Sequence, residues 1–274
     1  MNIQPKDFEY ISQLIRKESA IVLENGKEYL VESRLSPVAT EQGFESLEQL
    51  VSALRDNKKF GLKGKVVEAL TTNETSFYRD VEPFEMMKTQ LLPELIELRK
   101  STKTLTIWCG AASTGQELYS LAMMIREHFP ELLTWKLTIV GTDLSTEVLD
   151  KAKEGKFSQV EINRGLPAQL LIKYFEKQGT EWQIKKDVRD MIEYRELNLI
   201  KPWIGVPESD IVLLRNVLIY FDAEVKKEIL GKVRKILRPD GFLFLGAAET
   251  TLNLDENYAR RTCGRGSCYT IKSQ

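Results

Sequence analysis

The stretch Thr104–Met124, TLTIWCGAASTGQELYSLAMM, decides the fold class of this chain. Leu105-Thr106-Ile107-Trp108 is a short apolar, β-branched run, and Gly110 to Thr114 are all small. From Glu117 onward, Leu118, Leu121, Ala122 and Ile125 recur at the i, i+3, i+4, i+7 spacing of one helix face. The pattern is strand, tight small-residue turn, helix, the opening unit of a doubly wound α/β domain. Its turn sits at the carboxyl end of a strand, where such sheets bind nucleotides. The turn lacks the second and third glycines of G-x-G-x-x-G, which argues against a pyrophosphate cradle for a dinucleotide.

Working outward, Leu137–Asp143 (LTIVGTD) is a second β-branched strand ending in an acid. An acid there can hold a ribose hydroxyl pair; equally, Asp143 can cap a helix starting near Ser145. Ile192 to Leu197 and Asp210–Leu214 continue the sheet, the latter apolar enough for a buried parallel strand. Asp222 precedes a helix with apolar Val225, Ile229, Val233, Ile236 and Leu237. Arg238–Gly241 (RPDG) then reads as a turn, Phe242–Gly246 as a strand, and Ser267 to Ile271 as an antiparallel edge. Residues 155–189 break the rhythm: a short helix from Pro167 to Phe175 is followed by alternating Trp182–Lys185, a small insertion at the sheet edge.

Residues 1–80 show helical periodicity, as in Phe8, Ile11, Leu14, Ile15 and in Leu47, Leu50, Val51, Leu54, with no strand signal. Gly26 and Gly43 punctuate the gaps, and Ser36-Pro37 marks a bend. Residues 84–99 form a further helix in which Pro93 predicts a kink or restart. The expected organisation is a helical domain over 1–80, an α/β domain over 81–274, and a β subdomain at about 155–189.

Composition sets the outer bounds. A chain of 274 residues can bury a sizeable core, and its net charge of −1 gives no general electrostatic case for nucleic acid or membrane binding. The three cysteines have no zinc-ligand spacing and the single histidine has no partner for a metal. With no apolar leader and no run of eighteen apolar residues, the expectation is a soluble, cytoplasmic protein. The first fifty residues are acid-rich, whereas Arg55, Lys58, Lys59, Lys63 and Lys65 cluster as a basic patch, either a solvated face or a docking site for an acidic protein.

Three stretches go beyond fold class. Asn73–Arg79 (NETSFYR), Ala111–Glu117 (AASTGQE) and Arg215–Asp222 (RNVLIYFD) closely resemble the CheR family, in that family's order. Phe242–Gly246 with Ala247-Ala248-Glu249 resembles its closing motif. These are S-adenosylmethionine-dependent methyltransferases that esterify glutamate side chains of bacterial chemoreceptors. The resemblance implies a Rossmann-like, mostly parallel seven-stranded sheet, an all-helical N-terminal docking domain, and S-adenosylmethionine as cofactor with S-adenosylhomocysteine as product. The implied partner is the cytoplasmic helical domain of a methyl-accepting chemotaxis receptor.

The resemblance also implies roles. Arg79, with Asn73 and Thr75, holds the methionine end of the cofactor, a guanidinium suiting that carboxylate through paired hydrogen bonds; read alone, Arg79 is a surface arginine at a helix end. Glu117 lies beside the cofactor and offsets its positive charge, although Thr114-x-x-Glu117 and Ser113-x-x-Gln116 are also capping boxes. Ala111 lines the cofactor turn, Asp143 takes the ribose hydroxyls, and Asn198 and Leu199 border the adenine. Arg215, Asn216 and Tyr220 face the transferred methyl; locally, Tyr220 and Phe221 read as core aromatics. A glutamate carboxylate has a pKa near 4.3 and is already a nucleophile at neutral pH, so the chemistry needs no general base.

Two features depart from the family pattern: the acid-rich first fifty residues, and the short Phe175-to-Trp182 connection. The latter resembles the form that does not need a receptor pentapeptide. The competing readings are a methyltransferase of a small molecule or another protein, and a non-catalytic cofactor sensor.

Overall fold

The computed structural model describes residues 3–57 and 59–272. The chain forms two compact units. The smaller runs to Thr72 and takes in Tyr220–Val225; the larger begins at Asn73.

The smaller unit contains α1 (Pro5–Ser19), α2 (Glu28–Glu41), α3 (Leu47–Arg55) and α4 (Leu62–Leu70). Pro5 opens α1, where a missing N–H costs nothing. Ser46 caps α3 by accepting from Gln49 N–H at 3.2 Å. Ile11, Ile15, Val31, Leu35, Leu50 and Val66 have zero exposure, and burying each contributes about 1.5–3 kcal/mol. The bend expected at Ser36-Pro37 is not a helix end, because α2 runs through Pro37. Its buried positions Val31, Leu35 and Ala39 lie on both sides of the proline, so burial outweighs the lost hydrogen bond.

The larger unit holds β1 (Thr104–Gly110), β2 (Lys136–Asp143), β3 (Lys156–Ser158), β4 (Phe175–Gln178), β5 (Glu181–Ile184), β6 (Ile192–Glu196), β7 (Ser209–Leu214), β8 (Leu237–Leu245), β9 (Tyr258–Cys263) and β10 (Gly266–Ile271). Seven strands form one sheet in the order β6-β2-β1-β7-β8-β10-β9. The five strands from β6 to β8 are parallel, and β10 enters antiparallel between β8 and β9. This is the expected Rossmann-like, mostly parallel seven-stranded sheet. Strands β7 and β1 are buried on both faces, with Ile107, Trp108, Ile211, Val212 and Leu213 at zero exposure.

Two expectations near the antiparallel edge are corrected. RPDG is no separate turn: β8 begins at Leu237, opposite Ser209, and an irregularity in register separates that pair from Ile211 opposite Phe242. The outer strand is β9, not β10; its adjacent Arg260 and Arg261 gave no core signal, as an exposed edge strand permits. Pro93 restarts a helix as expected, opening Leu92–Arg99 after the π-turn Met87–Leu91.

The insertion between β2 and β6 is a three-stranded antiparallel sheet, β3-β5-β4. Phe157 and Phe175 from it pack edge-on against Phe77, with ring centroids 5.0 and 5.7 Å away. Among the described residues, no helix is long and apolar enough to cross a membrane.

Candidate functional site

Because β6, β2, β1, β7 and β8 are parallel, their carboxyl ends share one edge of the sheet. The motif residues of the larger unit gather there. The turn after β1 holds Ala111 (φ 62°), Ser113 (φ 51°) and Gly115 (φ 90°) in left-handed backbone. A Cβ on Gly115 would stand 2.6 Å from the Tyr194 hydroxyl, so only glycine fits. Tyr78 (φ 47°), Asp80 (φ 53°) and Asn216 (φ 57°) at the neighbouring loops are also left-handed. Such strain persists where surrounding contacts over-determine it, which is common at ligand sites.

Asp143, buried at the end of β2, is bound into the turn. One carboxylate oxygen accepts from Ser113 N–H at 2.9 Å and the other from Ser145 N–H at 3.0 Å. The cap of the Thr146–Glu154 helix is Ser145, whose hydroxyl accepts from Val148 N–H, so the alternative reading of Asp143 as that cap is corrected. Ser113 Oγ donates to the Asn73 carbonyl at 2.7 Å, fixing the Asn73–Arg79 loop against the same turn.

Arg215, at the tip of β7, is the electrostatic centre. Its side chain is 2% exposed and forms ion pairs with Glu117 and, at 2.7 Å, with Asp80. Nη2 also donates to the Arg79 carbonyl at 2.9 Å, while Nε is buried without a partner among the described residues. Burial opposes the charge, but the carboxylates of Glu117 and Asp80 outweigh it and hold the pKa above the ordinary arginine value. Glu117 forms no capping box; the helix after Gly115 has no side-chain cap, and Glu117 turns to Arg215 and the Cys109 thiol. Burial, then the nearby Glu117 carboxylate, pushes the Cys109 thiol pKa well up and keeps it protonated.

Glu249 fastens the loop after β7 to the tip of β8. Its carboxylate, 9% exposed, accepts from the backbone N–H groups of Asn216 (2.8 Å), Gly246 (2.6 Å) and Ile219 (3.2 Å). A Cβ on Gly246 would lie 2.8 Å from both Asn216 N and Glu249 Oε2, so this junction admits no larger residue without moving. Asn216 Oδ1 is buried with no partner among the described residues.

The remaining candidates sit further out. Arg79 is half-buried and donates to the Glu74 carbonyl at 2.9 Å rather than ending a helix. Asn198 and Leu199 follow β6, in a loop tied to β2 by Leu197 N–H donating to the Asp143 carbonyl at 2.9 Å. Leu199's carbonyl accepts from Trp203 Nε1 at 3.0 Å, and Trp203 packs on Trp108 at 4.8 Å. Thr75 is half-buried in the Asn73–Arg79 loop. Tyr220 ends the 3-10 turn Leu218–Tyr220 and belongs to the smaller unit, where its carbonyl accepts from Val22 N–H at 3.1 Å.

The donor set fits a cofactor that is polar at both ends. Orphaned buried atoms of Arg215 and Asn216, a ring of left-handed backbone and an acid on each of two strand tips stand together on one edge. Comparison with known families decides which cofactor. The CheR methyltransferase SAM binding domain matches residues 73–265, and the CheR methyltransferase all-alpha domain matches residues 6–71. The chain belongs to the CheR methyltransferase family. It is an S-adenosylmethionine-dependent methyltransferase.

Individual relatives agree over nearly the full length. Chemotaxis protein methyltransferase 1 of Pseudomonas aeruginosa is 41% identical over 99% of this chain and 100% of that protein. Chemotaxis protein methyltransferase Cher2 of Pseudomonas putida is 39% identical, covering 97% of this chain and 98% of its own length. The chemotaxis protein methyltransferase of Escherichia coli is 30% identical over 93% of this chain and 87% of that protein.

In this CheR-family enzyme, sequence reasoning missed two residues of the site. Asp80 follows directly on Arg79, at the end of the stretch assigned to the helical domain, and had no role; only the fold brings it to Arg215. Glu249 stood in the quoted closing motif with no role, because its three backbone partners come from two different loops. The basic cluster is largely neutralised within its own unit. Arg55 pairs with Asp7 (2.9 Å), Lys63 with Glu18 (3.5 Å) and Lys65 with Glu41 (2.5 Å), while Lys59 donates to the Gln42 carbonyl. Lys58 lies outside the described residues.

Proposed function

We propose that this enzyme transfers the methyl group of S-adenosylmethionine to glutamate side-chain carboxylates on the cytoplasmic helical domain of bacterial chemoreceptors, giving glutamyl methyl esters in sensory adaptation. The observation that carries this reading is Arg215, a buried guanidinium at a strand tip whose Nε–H has no partner among the described residues. Glu117, Asp80 and the Arg79 carbonyl engage Nη1 and Nη2, and Nε remains for an incoming carboxylate.

When bound, the cofactor supplies an activated methyl on a sulfonium, with a neutral thioether as leaving group. Asn73, Thr75 and Arg79 hold its methionine end, Ala111 lines the turn, Asp143 takes the ribose hydroxyls, and Asn198 and Leu199 border the adenine. Glu117 places a negative charge near the sulfonium. Arg215 aims the acceptor carboxylate, Tyr220 hydrogen-bonds near the reacting centre, and Asn216 closes the cofactor side. A carboxylate is ionised at neutral pH, so no base is needed and rate enhancement comes from alignment. The charge of Arg215 is balanced by Glu117 and Asp80, which keeps it from holding the nucleophile too tightly in the ground state.

The helical residues up to Thr72, rather than the expected 1–80, serve as the receptor-docking domain in this reading, and the enzyme acts in the cytoplasm. The β4–β5 hairpin closes through Gly179-Thr180 alone, which supports the class that needs no receptor pentapeptide. Radiolabelled methyl from S-adenosylmethionine, supplied with membranes bearing the host's chemoreceptors, should appear on a receptor-sized band and be released by mild alkali. Cofactor binding without such label would refute the receptor assignment. Micromolar binding of a receptor C-terminal pentapeptide in calorimetry would refute the pentapeptide-independent class.

A further inference from the structure

A cavity of about 470 Å³ opens beside the strand tips, walled by Arg215, Gly246–Thr250, the Asp80–Pro83 segment and the β9–β10 hairpin. Three of the charged groups that line it are already committed. Arg215 and Asp80 are paired, and Glu249 is bound to three backbone N–H groups. Two guanidiniums are not. Arg260, exposed on β9, meets the Ser267 hydroxyl at 3.2 Å and no carboxylate among the described residues. Arg265, exposed at the hairpin turn, has neither hydrogen bond nor ion pair among the described residues.

The strand and turn that carry these two arginines are fixed by the fold. Arg260 is directly opposite Tyr269 in the β9–β10 ladder, and Tyr269 lines the same cavity. The hairpin lies against the Val81–Met86 helix so closely that a Cβ on Gly266 would stand 3.1 Å from the Glu82 carbonyl. One cavity therefore presents Arg215 at its inner end and two unpaired guanidiniums on its hairpin wall. The fork of an arginine suits a carboxylate, which it can bind through two parallel hydrogen bonds.

We propose that Arg260 and Arg265 form a second carboxylate subsite, which binds an acidic side chain flanking the glutamate being methylated. This rests on the acceptor being a glutamate on a protein segment. Glu82, at the same cavity and without an ion pair among the described residues, opposes such a ligand and limits how tightly it is held.

The test uses the full-length enzyme and two cytoplasmic fragments of the host's chemoreceptors, one natural and one with the acidic residues flanking each methylated glutamate changed to the amide. The wild type should show a KM about tenfold higher on the amide fragment, the worth of one charge-assisted hydrogen bond. Arg260→Gln/Arg265→Gln should raise KM on the natural fragment by a similar factor and abolish the difference between fragments, with S-adenosylhomocysteine affinity unchanged. Arg260→Lys/Arg265→Lys should restore part of the difference, which a loss of folding could not do. The KM on the natural fragment should also rise with salt, and less so in the double glutamine variant. Equal KM on both fragments for the wild type overturns the subsite while leaving the function intact. If neither fragment is methylated, the functional reading falls and the subsite with it.

Discussion

Changing Glu249 to Gln tests whether one carboxylate sets the shape of the site. Oε2 accepts from Asn216 N–H (2.8 Å) and Gly246 N–H (2.6 Å), and Oε1 from Ile219 N–H (3.2 Å). Glutamine can keep its one oxygen towards the first two donors, but its amide then faces the Ile219 N–H, donor against donor. Two charge-assisted bonds become neutral and one is lost at a residue only 9% exposed. With about 1 kcal/mol lost for each of the two weakened bonds and about 1–3 kcal/mol for an unmet donor, the expected loss is about 3–5 kcal/mol. Denaturant unfolding measures that term. Where the variant is still folded, kcat should fall further than S-adenosylhomocysteine affinity, because the loop that Glu249 shapes runs from Asn216 towards Tyr220. Stability within about 0.5 kcal/mol of the wild type, with unaltered turnover, would refute the positioning role.

Other perturbations probe different parts of the molecule. Gly115→Ala should destabilise the fold by about 1–3 kcal/mol and weaken cofactor binding in calorimetry, since its φ of 90° and the Tyr194 hydroxyl 2.6 Å from a Cβ both oppose a side chain. Arg215→Met should abolish methyl transfer, whereas Arg215→Lys should retain cofactor binding with a sharply lower kcat, because a lysine cannot reproduce the three-way fork. Tyr220→Phe should lower kcat more than cofactor affinity, and equal loss of both would sink its orienting role. Stability should also fall in acid. The hydrogen bond from Arg99 first, then its charge, holds the Asp240 carboxyl below its usual 3.8, so this contribution is complete above about pH 4 and disappears as pH drops through the lowered value. Arg99→Gln should flatten that part of the acid unfolding curve.

Much of the architecture was legible because it depends on local periodicity. The alternation of β-branched runs with amphipathic helices defined the parallel sheet, and the helical spacing of Phe8, Ile11, Leu14 and Ile15 defined the first helix. Small residues between β1 and its helix marked the ligand-facing turn, and the backbone there is left-handed at Ala111, Ser113 and Gly115. The motifs placed Arg215 and Asp143 at strand tips and Glu117 at the start of the helix after β1, since a strand's end and a sheet's direction follow from the chain itself.

Pairing was another matter. A capping box at Thr114–Glu117 was a sound local option, but the sequence contains no term for Arg215, which lies 98 positions away and draws Glu117 to itself. RPDG is a good turn by composition, yet in the fold it joins β8 as an irregularity in register beside β7. The basic residues from Arg55 to Lys65 suggested a docking patch until Asp7, Glu18 and Glu41 proved to be their partners. The sequence by itself determined which segments become strands and helices and which motifs lie at their ends, because those depend on neighbours three or four residues apart. Only the tertiary structure decided which charges meet. A buried ion such as Arg215 is stabilised by partners from anywhere in the chain, and Coulomb energy depends on distance in space rather than along the sequence.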